Sequence, residues 1–175
     1  MPAIGPPVVG IDPGTEKSGW VWIDGNVVLE HGYCTNETLR RMIIDKHYGE
    51  SEIAIEMVAS YGMPVGRDTF ETVYWIGRLC EAQLEATGVE AVRLYRKQDS
   101  GDMPSICGHI CKSQKAGDSN VRQALIDMYE PTGGGKVPQV GTKGQQGPLY
   151  GISGHCWQAL AVAVTCRDSL LLKKR

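Results

Sequence analysis

The stretch that decides the fold is Val8-Val9-Gly10-Ile11-Asp12-Pro13-Gly14. It is an apolar run that ends in one carboxylate and a Pro-Gly turn, and a second strand-like run follows at residues 18–23. Because an unpaired charge is costly to bury in an apolar strand, we expect Asp12 to face an open cleft and to meet a cation there. The alternative is a turn-forming Asp that bonds its own backbone.

The hydrophobic periodicity along the chain predicts an α/β domain. Strands are predicted at 7–11, 18–23, 26–33, 52–58 and 89–95, and helices at 35–47, 66–87, 118–129 and 153–171. A meander of three strands followed by helical crossovers predicts a mixed five-stranded sheet with helices on both faces. Asp118 or Ser119 is expected to cap the third helix. Helix 66–87 carries one apolar stripe: Phe70, Val73, Tyr74, Gly77, Cys80 and Leu84.

Length and composition predict one domain over residues 1–175. The chain is 42% hydrophobic and 22% charged, as is usual for a globular protein. No apolar run reaches the roughly 20 residues of a membrane span, so no membrane association is expected. The Gly/Pro/Lys-rich segment at about 131–148 has little apolar content and is predicted to be a mobile loop, of a kind that is often functional.

Six scattered cysteines predict reduced thiols and a cytoplasmic protein. The one cluster, Cys107-Gly108-His109-Ile110-Cys111, has fewer ligands than the four of a closed zinc site.

Charge is distributed unevenly between the two halves. Residues 1–92 hold 6 Lys/Arg and 14 Asp/Glu, whereas residues 93–175 hold 12 Lys/Arg and 6 Asp/Glu. A local positive potential of this kind suits a polyanion such as DNA. A solvated basic face is the alternative.

Two acids end strands that this topology makes neighbours, Asp12 and Glu56. Carboxylates side by side stay ionised only with a cation between them, or else one keeps its proton. Hard oxygen ligands favour Mg²⁺ or Mn²⁺, and His155 near the start of the last helix is the expected third ligand. This is the geometry of two-metal phosphodiester hydrolysis. A purely structural histidine is the alternative for His155.

Three motifs together carry a family resemblance: Gly-Ile-Asp-Pro-Gly at 10–14, Ala-Ile-Glu-Met-Val at 54–58, and His-x-x-Gln-Ala-Leu-Ala-Val-Ala at 155–163. The ordered set resembles the RuvC family of Holliday-junction resolvases. It resembles the RuvC-like proteins of bacteriophages more closely, through the segments 60–66, 120–127 and 147–151.

The resemblance implies an RNase H-like fold and a divalent-metal-dependent endonuclease that cuts branched DNA, with two ions of Mg²⁺ or Mn²⁺ in each site. It places Asp12, Glu56 and His155 on the family's metal ligands. Gln158 stands where the bacterial family has a further acid, so either the first three residues suffice or another acid such as Asp118 comes close. A symmetric junction calls for two active sites and hence a homodimer, with helix 66–87 as its interface, in the cytoplasm of a bacterial host.

Predicted DNA contacts are the basic residues expected near the cleft or in the loop, with one aromatic residue. They are Tyr61, Arg93, Arg96, Lys97, Lys112, Lys115, Arg122, Lys136 and Lys143. Tyr61 would stack on an exposed base, and the cations would neutralise phosphates. Each cation taken singly is as compatible with a solvated surface charge.

Two rival functions remain. The first is a branched-DNA-binding protein on the same fold with weak or no cleavage, for which Gln158 is the signature. The second is a sugar-kinase or actin-like ATPase, but the chain lacks a second Asp-x-Gly phosphate loop and the length for it. Gly133-Gly134-Gly135-Lys136 does not continue into a phosphate-loop motif either.

Overall fold

The computed structural model describes residues 5–99 and 101–173. The strands are β1 (Val8–Asp12), β2 (Lys17–Asp24), β3 (Val27–Thr35), β4 (Glu52–Met57) and β5 (Val92–Tyr95). The helices are α1 (Asn36–Ile44), α2 (Arg67–Thr87), α3 (Ile106–Cys111), α4 (Asp118–Asp127) and α5 (Cys156–Lys173). Within these described ranges, no helix has the length and apolar character needed to cross a bilayer.

The five strands form one mixed sheet in the order β3-β2-β1-β4-β5. β1 to β3 are an antiparallel meander, and β4 and β5 run parallel to β1 after helical crossovers. In the β1–β4 ladder Ile11 pairs with Ile55, and in the β1–β2 ladder Asp12 pairs with Gly19. The predicted neighbourhood of the first and fourth strands is confirmed.

Helices cover both faces of the sheet because the buried strands carry apolar side chains in both directions. Val8 faces the core formed with α3, α4 and α5, whereas Val9 and Ile11 face the core formed with α1 and α2. Because successive residues of a strand face opposite sides of the sheet, Gly10 and Asp12 face α5. The predicted mixed sheet with helices on both faces is confirmed.

Gly10 lets α5 cross the sheet at close range. A Cβ atom at this position would lie 2.1 Å from the carbonyl oxygen of Ala159 and 2.5 Å from the backbone nitrogen of Ala163. No side chain fits there, so the glycine before Ile11 is required by the packing of α5 and sets the height of that helix above the strand end.

Two local expectations were wrong. The segment containing Cys107 and His109 forms helix α3, which the sequence analysis did not predict; Ser105 is its N-cap and accepts a hydrogen bond from the Gly108 nitrogen. The N-cap of α4 is Gly117, not Asp118 or Ser119, and Gly117 donates its N–H to the Asn120 side chain at 3.0 Å. Asp118 is thus the first helical residue, and its side chain is free to turn towards the sheet.

The apolar stripe of α2 is largely exposed, although Cys80 packs against the core. The buried residues of α2 are Thr72, Ile76, Leu79, Ala82 and Gln83. Phe70 is 65% exposed and Tyr74 is 58% exposed, and Arg78 stacks on the rings of Tyr74 and Trp75. Tyr74 therefore lies on the exposed face of α2 in the single chain, and the dimer interface expected on this helix stays a prediction. The helix ends as predicted, with Gly88 in the left-handed conformation at φ 74°.

The segment 131–148 folds back on itself through backbone hydrogen bonds. Gly133 donates to Pro138, Gly134 to Gln145, and Gly147 to Val140. Val140 packs against the core on the α5 side of the sheet. The segment is more compact than its composition suggested, and its mobility stays a prediction.

Candidate active site

Asp12 lies at the end of β1, and the turn after it is held by a buried polar network. Asn36 donates to the Gly14 carbonyl at 2.9 Å and accepts from Ser18 at 2.6 Å. Ser18 and Asn36 are fully buried. A buried, fully bonded network of this kind fixes the backbone, so the direction of the Asp12 carboxylate is set by the start of α1.

Glu56 extends from the neighbouring strand on the same side as Asp12. The parallel register that pairs Ile11 with Ile55 brings Asp12 and Glu56 to the same level. Both acids follow the alternation that places Ala54 on the α5 side. Their side chains are only 16% and 14% exposed, so the two carboxylates share a confined space.

His155, the residue before α5, lies beside this pair of acids. Its Nδ1 donates to Oδ2 of Asp12 at 2.9 Å, and its ring stacks on Tyr33 with centroids 5.2 Å apart and an interplanar angle of 10°. The backbone beneath it is Gly19, where a Cβ atom would lie 2.8 Å from the carbonyl carbon and the Cβ of His155. Gly19 and Tyr33 together fix the position of the imidazole.

The guanidinium of Arg96 lies among the remaining polar groups of the site. Nη1 donates to both carboxylate oxygens of Glu56, at 3.3 and 3.5 Å. Nη2 donates to Oε1 of Gln158 at 2.9 Å and also to the Asp118 carboxylate. One cation therefore links β4, the residue after β5, α4 and α5.

Burial raises the pKa of both strand-end acids. The pKa of Glu56 rises from 4.5 to about 7, because burial disfavours its charge and Asp12 repels it, while Arg96 opposes the rise. Burial also raises the pKa of Asp12, against the effect of the hydrogen bond and charge of His155. Negative charge at this edge is thus under-compensated, which suits a site that takes up a further cation.

The donor chemistry fits a hard divalent ion, although the ligands are not assembled around one point. Carboxylate, amide and imidazole groups are acceptable ligands for Mg²⁺ or Mn²⁺. In the described part of the chain, no group of three or more His, Cys, Asp or Glu side chains is arranged to hold a metal ion. The Glu56 oxygens instead accept hydrogen bonds from the guanidinium of Arg96.

A cleft of about 440 Å³ opens beside His155 and Gln158. Arg122 lines it and stacks on the Trp157 ring, with its guanidinium carbon 4.9 Å from the ring centroid. Stacking on the indole orders the arginine while its N–H groups stay available. The cleft therefore places a positive group next to the imidazole.

The other predicted DNA contacts fall into a near set and a far set. Tyr61 is 45% exposed in the turn after β4, and its hydroxyl accepts from the backbone nitrogen of Lys97, the neighbour of Arg96. The far set comprises Lys112, Lys115, Lys136 and Lys143, all exposed. Among the hydrogen bonds and ion pairs of the described residues, none joins this far set to the acids of the site.

Arg96 is the predicted DNA contact whose surroundings differ most from those expected. It was expected to lie on a DNA-binding surface, but its side chain is only 17% exposed and its guanidinium contacts acidic and amide groups of the protein. The segment from Cys107 to Cys111, which has too few ligands for a closed zinc site, makes other contacts: His109 pairs with Asp168 at 2.8 Å and the Cys107 thiol donates to the Ala116 carbonyl.

Two solved structures have the same architecture as this chain. The Thermus thermophilus RuvC structure superimposes with a TM-score of 0.63 at 16% identity, over 96% of both chains. T. thermophilus RuvC in complex with a Holliday junction substrate superimposes with a TM-score of 0.65 at 16% identity, over 95% of this chain and 98% of that one. The chain has a RuvC-like fold. No family model and no curated protein matches the sequence.

A RuvC-like fold confirms the RNase H-like architecture expected from the motifs. The more specific likeness to bacteriophage proteins stays a prediction.

Several residues of the site were not predicted from sequence. Tyr33 lies on an edge strand and Asn36 starts a helix, and neither position carries a motif. Asp118 was suggested as an acid that takes the place of the one missing at Gln158, but it is one of six acids in residues 93–175 and no motif distinguishes it. Arg96 was selected for its charge, but its role depends on partners far away in sequence.

Proposed function

We propose that this protein is a divalent-metal-dependent endonuclease that hydrolyses phosphodiester bonds in branched DNA, with the four-way Holliday junction as its substrate. The observation that carries the proposal is the convergence of Asp12, Glu56 and His155 at one edge of a RuvC-like sheet. A protein of the same fold has been solved in complex with a Holliday junction substrate.

Asp12 and Glu56 would hold Mg²⁺ or Mn²⁺, with the amide oxygen of Gln158 as a neutral donor, and the free Nε2 of His155 would act either as a further ligand or as a proton acceptor. We propose two ions in each site. The chemistry that such ions supply is stabilisation of the charge that develops on the attacking and leaving oxygens of an in-line displacement. The buried acids supply the negative charge that selects a divalent cation over a neutral ligand.

His155 would accept the proton of the attacking water. With Nδ1 donating to Asp12, its Nε2 carries the free lone pair, and the imidazole is 62% exposed. As the water oxygen bonds to phosphorus, the bond to the leaving sugar oxygen breaks, and the water proton passes to Nε2. Asp12 would fix the tautomer and orientation of the ring, as a carboxylate does beside other catalytic histidines.

DNA binding would use the groups around this edge. Arg122 would contact a phosphate from the cleft, and Tyr61 would stack on a base exposed at the branch point. Lys97, Lys112, Lys115, Lys136 and Lys143 would extend the positive surface along the arms of the junction. The excess of basic residues after residue 92 supports this assignment.

A two-fold homodimer would supply the two active sites that a symmetric junction needs. The support is the outward apolar stripe of α2, since Phe70 and Tyr74 are large, exposed and on one helical face. Exposed apolar patches of this kind mark interaction surfaces. The phage-type motifs support a phage-encoded protein acting in the cytoplasm of a bacterial host.

A branched-DNA-binding protein with weak or no cleavage is the second candidate. Two observations favour it: Gln158 adds no charge, and Glu56 already has a cationic partner in Arg96. On this alternative the acid cluster would stabilise the fold and the DNA-binding surface without holding metal.

The decisive experiment is a cleavage assay on a synthetic four-way junction with Mg²⁺ or Mn²⁺. We expect paired nicks near the branch point and none from Asp12→Asn, while both proteins bind the junction. Tight binding by the wild-type protein without cleavage in either metal would establish the second candidate. Equal cleavage of linear duplex would refute junction specificity.

A further inference from the structure

Arg96 is held by three acceptors on three different elements. It bonds both oxygens of Glu56 on β4, the amide oxygen of Gln158 on α5 and the carboxylate of Asp118 on α4. Its side chain is 17% exposed, whereas that of Asp118 is 77% exposed. The guanidinium therefore has a buried side, which faces Glu56, and an open side, which faces Asp118.

The identity of residue 158 is matched to this arrangement. Arginine donates through a planar fork whose N–H groups need several oxygen acceptors. Gln158 supplies one acceptor without charge, so the guanidinium is shared by two carboxylates, Glu56 and Asp118. An acid at residue 158 would leave three carboxylates around one cation. The departure from the bacterial pattern at this position is thus accounted for by Arg96.

We propose that Arg96 is a built-in cation that competes with the divalent ion for Glu56, so that metal binding requires the guanidinium to release this carboxylate. The proposal rests on the metal dependence proposed above. The same two oxygens of Glu56 cannot serve both cations at close range, because the two positive centres would repel each other. Arg96 is therefore a positioning residue that sets the metal affinity of the site.

A DNA phosphate is a suitable new partner for the released guanidinium. Arginine binds phosphate through two parallel hydrogen bonds, and the open side of Arg96 adjoins Asp118, which lines the same cleft as Arg122. Bound DNA would then draw Arg96 off Glu56 and tighten metal binding, and metal would tighten DNA binding by the same factor. The site would assemble fully only on its substrate.

Calorimetric titration with Mn²⁺ tests the competition directly in the full-length protein. Arg96→Gln should bind Mn²⁺ more tightly than wild type by at least about fivefold, the lower end of typical couplings between sites. Arg96→Lys keeps the charge and should stay close to wild type. Arg41→Gln removes the same charge from α1, where the side chain is 74% exposed, and serves as the control. Circular dichroism establishes that each variant is folded, and Arg96→Ala, which also removes the charge, carries the comparison with wild type if Arg96→Gln does not fold.

A second titration in the presence of an uncleavable four-way junction tests the coupling. Wild-type affinity for Mn²⁺ should rise on junction binding, and the rise should be smaller in Arg96→Gln. Unchanged or weaker Mn²⁺ binding by folded Arg96→Gln would overturn the competition and leave the proposed nuclease function intact. If neither wild type nor Arg96→Gln bound Mn²⁺, with or without DNA, the proposed metal-dependent function would itself be wrong.

Discussion

The imidazole of His155 donates to the carboxylate of Asp12 at 2.9 Å, across 143 positions of the chain. This bond joins the first strand to the last helix, and the ring is held from two further directions by Gly19 and Tyr33. The position of His155, the proposed proton acceptor, thus depends on the close approach of three separate elements. Small changes in the residues that hold the imidazole should affect the cleavage rate more than the stability of the fold.

Gly19→Ala tests whether the position of His155 matters for cleavage. The added methyl would meet the backbone and Cβ of His155 at 2.8 Å, so the histidine must shift. A displacement of about 1 Å can lower a rate about 10²-fold, and overpacking costs about 1–3 kcal/mol of stability. We expect slow cleavage of the four-way junction with binding retained, measured by single-turnover kinetics and gel shift.

The matched control is Gly144→Ala, at a glycine whose Cβ would meet no atom within 4 Å. It should cleave at the wild-type rate. A wild-type rate for Gly19→Ala as well would show that the position of His155 is unimportant for catalysis.

The buried acid Glu56 should make stability depend on pH. Its pKa rises from 4.5 to about 7 on folding, so the folded protein holds this proton more tightly than the unfolded chain. The stabilisation is complete below about pH 4.5 and is lost as the pH rises through about 7. In EDTA, Glu56→Gln should flatten this dependence and unfold with about 1–3 kcal/mol more free energy than wild type above about pH 7.

Urea denaturation across this pH range measures the effect. Glu52→Gln changes an acid at the other end of the same strand and should leave the wild-type pH dependence in place. A Glu56→Gln curve parallel to wild type would show that the folded-state pKa of Glu56 is ordinary.

Arg122→Gln tests the cleft beside His155. Loss of one phosphate contact should weaken binding to all junction sequences and lower the salt slope of log K by about 1. Fluorescence anisotropy at several salt concentrations measures the slope. Arg41→Gln removes an equally long cation whose side chain is 74% exposed on α1, and it should bind as wild type; equal slopes for all three proteins would exclude Arg122 from the interface.

Phe70→Asp tests the outward stripe of α2. The side chain is 65% exposed in the single chain, so its replacement should leave the fold intact and dissociate the proposed dimer. Light scattering after size-exclusion chromatography gives the mass. Leu172→Asp changes a residue that is 67% exposed on α5 and should stay dimeric; a wild-type protein that is monomeric at all concentrations tested would refute the dimer.

Local sequence patterns predicted most of the fold. Alternating and continuous apolar runs located every strand, and a Gly at the end of α2 marked its last turn. The segment 106–111 was missed because six residues with Cys, His and Gly carry no helical period. Periodicity located the apolar stripe of α2 but did not show which face of the helix meets the sheet.

The adjacency of the strands that end near Asp12 and Glu56 could be predicted from local sequence, because strand order follows from the meander and the crossover. The groups that contact these two acids could not be predicted, because they come together only in the folded chain. His155 reaches Asp12 because Gly10 and Gly19 admit α5 and its preceding residue at close range. Arg96 reaches Glu56, Gln158 and Asp118 because three elements converge after the chain has folded. Charge compensation is a property of distances between remote residues, and no local pattern encodes those distances.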